Sequence, residues 1–569
     1  MKVSKYKKEN IAQLEFDRLT NKDKKQLQDW GVPSLDKNVY IANYWQLGEL
    51  FDYFTDIEYT EGFAKDYSLY LTFLEKKKES LERRIVKMNK AVETALGPGK
   101  KLFEHQEYAI RFSALRDSFI LADDMGAGKT ASFIGSLPAK APVLVISPSN
   151  AKHTWRKQFK LWLDKDTEIL DGRKSFKFPK AGEVVILNYD ILPEDLFKRV
   201  PRNEDGTEKS KQEKDKFNRE LKKQRDKLLA ACPEGMVVIL DEAHRLKNRK
   251  SLRGRRFSYI SDKCKERHGK IWAATGTPLN NNADELYAVL CAIDAVEESF
   301  GTGDNFRKEF GGQLTNYGMK YGAPRPTAKN YLANVMLRRT VDDIFDLPPY
   351  NEITDWYIEI DEATRKACDD FEDILVKLGI SLEEALEQAF NPNSGVAQHV
   401  LQIKEKIAIA KIPAIIEKVD ELEALGHIPI VASCHIKPLE FFGAREGWAM
   451  IRGGVSAKNR SDIEDNFQAR KYKGLALSVL AGGEALTLTE ASYMIVADKY
   501  WGPGANAQVK GRIRRPGQKR PMFVYLPEIV SHPLEAKINE ILARKESIIQ
   551  ATVDEVTRID RSNRKGMVL

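Results

Sequence analysis

A repeated alternation of short apolar runs with helical stretches most constrains what this chain can fold into. Between residues 101 and 349 the runs are SFILADD, VLVISPS, EVVILNYD, MVVILDE and KIWAATG, and after residue 425 the pattern restarts with IPIVASC, GLALSVL, YMIVAD and MFVYL. Strands that are apolar at nearly every position are buried on both faces, which is typical of parallel sheets covered by helices. We therefore predict an α/β chain that contains two parallel sheets in series.

The segments around these sheets complete a five-part organisation. We predict a mostly helical N-terminal accessory region at 1–100, a first lobe at 101–349, a helical linker or protrusion at 350–425, a second lobe at 426–530, and a C-terminal helix with a basic tail at 531–569. The charged insert RNEDGTEKSKQEKDKFNRELKKQRDK, at 202–227, indicates a solvent-exposed helix or loop.

Composition limits the class of protein. The 569 residues are too many for one domain, and 42% hydrophobic with 31% charged residues is a globular rather than a disordered composition. No apolar run approaches the ~20 residues of a membrane span, so we expect no membrane contact. Five scattered cysteines without a CxxC pair argue against a zinc ribbon and against a disulfide framework. The net charge of +8 permits a polyanionic partner without requiring one.

The segment DDMGAGKT, at 123–130, predicts a phosphate-binding loop because it follows a strand and precedes a helical run. It fits the pattern GxxxxGK[ST] except that Asp123 stands at the first glycine position. Gly126 and Gly128 let backbone N–H groups wrap phosphates at a helix N-terminus. Lys129 would reach the β- and γ-phosphates, and the Thr130 hydroxyl would ligate magnesium. The alternative is a chance glycine turn, which the strand–loop–helix context disfavours.

Two further strand ends carry polar groups. MVVILDEAH places Asp241 and Glu242 after a buried strand, where one carboxylate can hold magnesium and the other can act as general base toward the attacking water. KIWAATGTPLNNN ends with Thr275 and Thr277, hydroxyl residues that can relay between the acidic site and a neighbouring lobe. An ordinary solvent-exposed strand end is the alternative for the two acids.

These segments, in this order, resemble motifs I, II and III of superfamily-two helicases, and TGTPLNNN is particularly similar to the Swi/Snf-type ATPases. In that branch the first loop position is usually acidic, as Asp123 is here. VLVISPSNAKHTWRKQFKLW, VMLRRTVDDIFDLP and LSVLAGGEALTLTEASYMIVADKYWGPGANAQVKGRIRRPGQ are also similar to motifs of this branch. The resemblance implies two RecA-like lobes that use ATP and magnesium.

The resemblance also implies roles by position. The catalytic residues would be Glu242 and the arginine fingers Arg512 and Arg515, whereas Arg514 stands where relatives usually carry histidine. Magnesium would be held by Thr130 and Asp241. The ATP-binding residues would be Gln106, Asp123, Asp124, Met125, Gly126, Ala127, Gly128, Lys129, Thr130 and Gln508.

By the same resemblance, the two lobes would bind DNA through phosphate contacts that read no sequence. We expect duplex, forked or branched DNA, in replication, recombination or repair, and a cytoplasmic location in a bacterial or phage-infected cell, or a nuclear one in a eukaryote. Two alternatives stay open: a double-stranded-RNA-activated ATPase of the same superfamily, and a non-catalytic DNA-binding scaffold. The candidate DNA-contacting residues are Pro148, Ser149, Thr275, Ser478, Gly482 and Thr487.

Overall fold

The computed structural model describes most of the chain. The described residues are 1–6, 11–29, 32, 34–44, 47–72, 102–172, 175–203, 205–279, 283–315, 318–388, 395–482, 486–530 and 532–549. Residues 73–100 of the predicted N-terminal region and the basic tail after residue 550 lie outside these ranges. Among the described helices, none is long and apolar enough to cross a membrane.

The described part of the N-terminal region contains a five-stranded sheet that the sequence did not predict, beside three helices. Its strands are β1 (Lys2–Lys5), β2 (Ile11–Glu15), β3 (Ser34–Asp36), β4 (Val39–Asn43) and β5 (Glu58–Tyr59), in the order β3-β4-β2-β1-β5. Val3, Ala12, Leu14 and Ala42 face a small core and their neighbours face outward, as expected of a sheet covered on one side. The helices are α1 (Asn21–Asp29), α2 (Leu47–Tyr53) and 61–72 (α3).

The first lobe contains a seven-stranded, wholly parallel sheet. Its strands are β6 (Ser118–Leu121), β7 (Val143–Ser147), β8 (Glu168–Ile169), β9 (Val184–Asn188), β10 (Val237–Asp241), β11 (Lys270–Ala274) and β14 (Met336–Leu337), in the order β14-β6-β11-β10-β7-β9-β8. The five runs predicted from the sequence are β6, β7, β9, β10 and β11. They are almost completely buried because separate hydrophobic clusters cover the two faces of the sheet.

Helices and one hairpin surround this sheet. The hairpin pairs β12 (Gln313–Thr315) with β13 (Gly318–Lys320). The helices are α4 (Glu104–Ala114), α5 (Lys129–Ser136), α6 (Lys152–Leu163), α7 (Lys211–Leu229), α8 (Leu252–Glu266), α9 (Ala283–Ala292), α10 (Val296–Phe300), α11 (Gly303–Glu309), α12 (Ala328–Ala333) and α13 (Val341–Ile344). The charged insert forms α7, which Ser210 and Glu213 cap reciprocally, and only Leu221 and Leu229 of this helix are buried.

The second lobe contains a six-stranded parallel sheet. Its strands are β15 (Tyr350–Ile353), β17 (Ile430–Ser433), β18 (Trp448–Ile451), β19 (Gly474–Ser478), β20 (Tyr493–Val496) and β21 (Met522–Tyr525), in the order β15-β21-β20-β17-β19-β18. The edge strand β15 comes from the segment predicted to be a helical linker, so the second sheet begins at 350 and not at 426. A short parallel pair, β16 (Tyr357–Ile358) with β22 (Glu528–Ile529), lies beside it.

The remaining helices cover the second sheet and form a satellite core. They are α14 (Glu362–Leu378), α15 (Leu382–Gln388), α16 (Ala397–Ala410), α17 (Ile412–Ala424), α18 (Ile436–Gly443), α19 (Ala457–Gln468), α20 (Val479–Gly482), α21 (Pro503–Lys510) and α22 (Leu534–Ile549). Helix α22 packs in the satellite core through Leu534, Ile538 and Leu542, and its last residue, Ile549, packs against the core of the first lobe. The architecture is that of two RecA-like lobes in contact.

Candidate active site

The phosphate-binding loop has the predicted geometry. Gly126 and Gly128 both have positive φ, 87° and 74°, and α5 begins at Lys129 immediately after them. The backbone N–H groups of the loop therefore lie next to the N-terminus of α5, an arrangement that binds phosphate. Lys129 Nζ donates to the carbonyl oxygens of Asp123 (2.7 Å) and Asp124 (3.1 Å), and burial lowers the pKa of this ammonium group.

The two acids that open this loop bind arginines that follow β14. Asp123 is 1% exposed and accepts two hydrogen bonds from Arg339, one of them from Nε at 3.0 Å. Asp124 pairs with Arg338 at 2.6 Å and accepts the Val341 N–H at 2.9 Å. The acidic first position is thereby explained, since a glycine there would leave the Arg339 guanidinium unpaired. Asp124 also lines the cavity between the lobes, and a direct contact of either residue with ATP stays a prediction.

Asp241 and Glu242 lie at the end of β10, with distinct surroundings. Trp155 Nε1 donates to Asp241 Oδ2 at 2.8 Å, and the Tyr189 hydroxyl donates to the Asp241 carbonyl at 2.7 Å. Burial and the neighbouring Glu242 charge raise the pKa of Asp241. Although burial opposes it, the contact with His244 and the charge of Lys129 hold the pKa of Glu242 below its usual range. Glu242 is therefore ionised at neutral pH, as a general base must be.

The hydroxyl of Thr275 connects Glu242 to the turn after β11. His244 Nδ1 lies 3.3 Å from Glu242 Oε2 and 3.3 Å from Thr275 Oγ1, and Thr275 Oγ1 accepts the Thr277 N–H at 3.1 Å. These contacts all lie within the first lobe, so a relay to the neighbouring lobe stays a prediction. Thr275 is fully buried, however, so its side chain cannot contact DNA in this arrangement.

The second lobe brings both predicted arginine fingers to this site. A Cβ placed on Gly126 would lie 3.5 Å from Arg515 Cγ, so the finger packs directly on the phosphate-binding loop. Arg515 Nη1 donates to Thr487 Oγ1 at 3.0 Å, and burial lowers the pKa of Arg515 to about 10, which leaves it cationic at neutral pH. Arg512 is fully buried, and its charge contributes to the low pKa of Glu242.

The second lobe also contains a carboxylate that the sequence analysis missed. Glu464, on α19, accepts the Thr487 N–H at 2.7 Å, and its charge favours the cationic form of Arg515. Thr487 therefore supports the finger, and this use of both its polar groups argues against the predicted DNA contact. No motif pointed to Glu464, because its partner Arg515 lies 51 positions later in the chain.

The two predicted glutamines have different positions. Gln106 is buried, accepts the Phe103 N–H at 3.1 Å and donates to the Gly128 carbonyl at 3.4 Å, so it supports the loop from the side of α4. Gln508 lies on α21, where it lines a cavity of about 510 Å³ between the lobes together with Met125. A direct contact of either glutamine with ATP stays a prediction.

The remaining DNA candidates differ in their exposure. Ser149 is exposed after β7, whereas Pro148 is buried beside it. Ser478 is buried at the end of β19, and Gly482 ends α20. Only Ser149 therefore has an exposed side chain that could reach a phosphate directly.

The Thr130 hydroxyl and the Asp241 carboxylate are suitable ligands for a magnesium ion that takes most of its ligands from outside the protein. Among the described residues, no group of three or more His, Cys, Asp or Glu side chains could hold a metal ion. Thr130 is the second residue of α5, beside the loop, and Asp241 lies close enough to the loop lysine to perturb its pKa. One hydroxyl and one carboxylate suit Mg²⁺, which takes its other ligands from phosphates and water.

Comparison with known families gives two adjoining matches. The SNF2-related domain matches residues 71–389, which is more than half of the chain, and the helicase conserved C-terminal domain matches residues 419–517. The matched ranges contain the phosphate-binding loop, the acidic pair and both fingers.

Individual relatives are distant and longer. The human "DNA annealing helicase and endonuclease ZRANB3" is 24% identical over 487 residues, 80% of this chain and 40% of that protein. The Xenopus tropicalis "SWI/SNF-related matrix-associated actin-dependent regulator of chromatin subfamily A-like protein 1" is 24% identical over 451 residues, 74% of this chain and 42% of that protein. This chain thus spans about two fifths of these relatives. Both are eukaryotic and give no support to a bacterial or phage source.

Among solved structures, the "Sulfolobus solfataricus SWI2/SNF2 ATPase core in complex with dsDNA" is similar at 19% identity and a TM-score of 0.32, covering 82% of this chain and 95% of that one.

Proposed function

The chain belongs to the SNF2-related domain family, and on that premise we propose that it is a DNA-dependent ATPase that moves along or remodels DNA. It would use magnesium together with ATP. The names of its relatives, a DNA annealing helicase and a regulator of chromatin, support DNA as the partner.

The observation that carries the proposal is the packing of Arg515 on Gly126 across the interface between the lobes. An ATPase that couples hydrolysis to movement needs a group on one lobe that completes the site on the other. Arg515 meets this need, because it is held by Thr487 and Gly511 of its own lobe and lies within electrostatic range of Glu242 of the first.

Each residue has a defined part in hydrolysis. The loop N–H groups and Lys129 would hold the β- and γ-phosphates of ATP, and Thr130 with Asp241 would hold magnesium, which supplies charge neutralisation at the transferred phosphoryl group. Glu242 orients the attacking water and accepts its proton, and the low pKa of this carboxylate keeps it ionised at neutral pH. Arg515 then stabilises negative charge that develops in the transition state.

The DNA substrate is duplex, and forked or branched duplexes are our finer proposal. Contacts to phosphates suit a motor because they are the same at every step. The exposed Ser149, at the carboxyl end of β7, is the first contact to examine. Lobe closure on ATP and reopening after hydrolysis would advance the protein by a step.

The test measures ATP hydrolysis without nucleic acid and with single-stranded DNA, duplex DNA, forked DNA or double-stranded RNA. We expect stimulation by duplex or forked DNA, and we expect Arg515→Ala to lower the stimulated rate by about 10³-fold or more, as for other arginine fingers. Stimulation by double-stranded RNA alone would favour the RNA-activated alternative. Full activity of Arg515→Ala would overturn the two-lobe mechanism, and DNA binding without hydrolysis would indicate a scaffold.

A further inference from the structure

Arg514, the neighbour of the finger, forms an ion pair with the opposite lobe. Its guanidinium binds both carboxylate oxygens of Asp342, the second residue of α13. The same guanidinium lies over the ring of Tyr350, with its carbon 4.6 Å from the ring centroid. Tyr350 in turn donates to Glu352 at 2.6 Å, and Glu352 also accepts from Lys510 at 2.6 Å. The second lobe therefore fixes the plane of the guanidinium that Asp342 binds.

Asp342 is itself bound to the phosphate-binding loop through its chain neighbours. Val341 N–H donates to Asp124, and Arg338 pairs with the same carboxylate. The contacts form a closed ring: the loop binds the 338–342 segment, Asp342 binds Arg514, and Arg515, the next residue, packs on Gly126. Loop and finger thus meet at two points, once directly and once through this segment.

We infer that Arg514 and Asp342 form a positioning pair that sets where Arg515 stands relative to the phosphate-binding loop. When the lobes are closed, the pair holds the loop that carries Arg515 at a fixed position against the first lobe. The ion pair is sensitive to salt because the side chains of Arg514 and Asp342 are partly exposed, at 27% and 60%. The role rests on the proposed ATPase function. A lysine at position 514 would not substitute, since it lacks the planar guanidinium that lies over the Tyr350 ring.

The chain offers a closely matched control. Arg445 pairs with Asp420 in the second lobe, with exposures of 25% and 57%, but this pair does not cross the cleft. A general loss of surface charge would affect the two pairs alike, whereas positioning of the finger requires only the pair that joins the lobes.

The kinetic test is a double-mutant cycle on DNA-stimulated hydrolysis with Arg514→Gln, Asp342→Asn and the double variant. We expect each single change to lower kcat by about two- to fivefold, the size typical of a partly exposed pair, with KM for ATP little changed. The double variant should be no worse than either single one, Asp342→Glu should retain most of kcat, and Arg445→Gln should match the unmodified protein. Reductions in kcat that multiply in the double variant would overturn the proposal, and so would an Arg445→Gln control that loses as much kcat as Arg514→Gln.

A second readout does not depend on hydrolysis. Fluorophores on unnatural residues at the exposed Lys157 of α6 and Ser461 of α19 would report the distance between the lobes by energy transfer. We expect Arg514→Gln to shift the distances at low salt toward those that the unmodified protein shows at high salt, and Arg445→Gln to have no effect. Unchanged distances in Arg514→Gln would overturn the proposal, while a shift in a protein without ATPase activity would refute only the proposed function.

Discussion

Replacing Asp123 by asparagine tests the explanation given for the acidic first position of the phosphate-binding loop. Asp123 is 1% exposed, and its partner Arg339 has a side chain only 7% exposed, so the ion pair is buried. Removing one partner of a buried pair costs roughly 3–5 kcal/mol, because the other charge is left uncompensated. Arg339 keeps its bond to the His105 carbonyl, at 2.6 Å, so we expect the lower end, about 3 kcal/mol, which is about 150-fold.

Hydrogen exchange measures this cost locally, which suits a chain of several domains that does not unfold in one step. The amides of Ala122 and Asp124 donate to the carbonyls of Leu337 and Arg339, so they report opening of the segment that Arg339 anchors. We expect their protection to fall by about 150-fold in Asp123→Asn. The control is Asp117→Asn, which breaks the exposed pair with Lys270 in the same lobe and should cost at most about 1 kcal/mol.

Asp123→Gly gives the sharper refutation, because it restores the glycine of the general phosphate-loop pattern. If acidic character at this position were incidental, the glycine variant would be as stable as the unmodified protein. We expect it to be at least as destabilised as Asp123→Asn. Protection of Ala122 and Asp124 that stays within about fivefold, roughly 1 kcal/mol, in both variants would refute the ion-pair explanation.

Two further predictions concern the chemistry of the site. The pKa of Asp241 is raised, and only the ionised form of this carboxylate binds magnesium. The affinity for magnesium should therefore fall as pH drops from about 7 toward the ordinary carboxyl pKa of about 4, and magnesium binding should release protons. Calorimetry in buffers of different ionisation enthalpy checks this, and binding at pH 6 without proton release would contradict it. Thr487→Val removes the acceptor for Arg515 Nη1 and should lower kcat by about tenfold, with Thr487→Ser retaining most activity, as measured by steady-state hydrolysis; equal loss in the serine variant would count against the hydroxyl.

The parts of the fold that follow from the sequence are those where burial leaves a continuous apolar run. Strands such as VVILD and VLVIS are buried on both faces, so their pattern is not shared with exposed segments. The N-terminal strands KVSK and SLD are short and have one buried residue and none, respectively, so neither forms an apolar run and both were missed. β15 was missed for a similar reason, since YNEI is an edge strand with two exposed residues.

Within the site, the sequence predicted residue types better than partners. Lys129, Glu242 and Arg515 occupy the positions that their motifs imply. The partners of Asp123 and Arg515 could not be predicted, because they come from other segments, 216 positions away in the case of Arg339. Thr487 shows the limit clearly: the motif indicated a functional hydroxyl, and the fold turned it toward the finger.

The strand β14 has a mechanical consequence. It is the edge strand of the first sheet and lies beside β6, which leads into the phosphate-binding loop. From β14 the chain runs through α13 to β15, the edge strand of the second sheet. A force that pulls the lobes apart therefore acts on the first lobe through the hydrogen bonds between β14 and β6. There the Val335, Leu337 and Arg339 carbonyls accept the N–H groups of Ile120 in β6 and of Ala122 and Asp124 after it. Force along parallel strands loads these bonds together, in shear, so the connection can bear pulling while it transmits strain to the residues that hold the nucleotide.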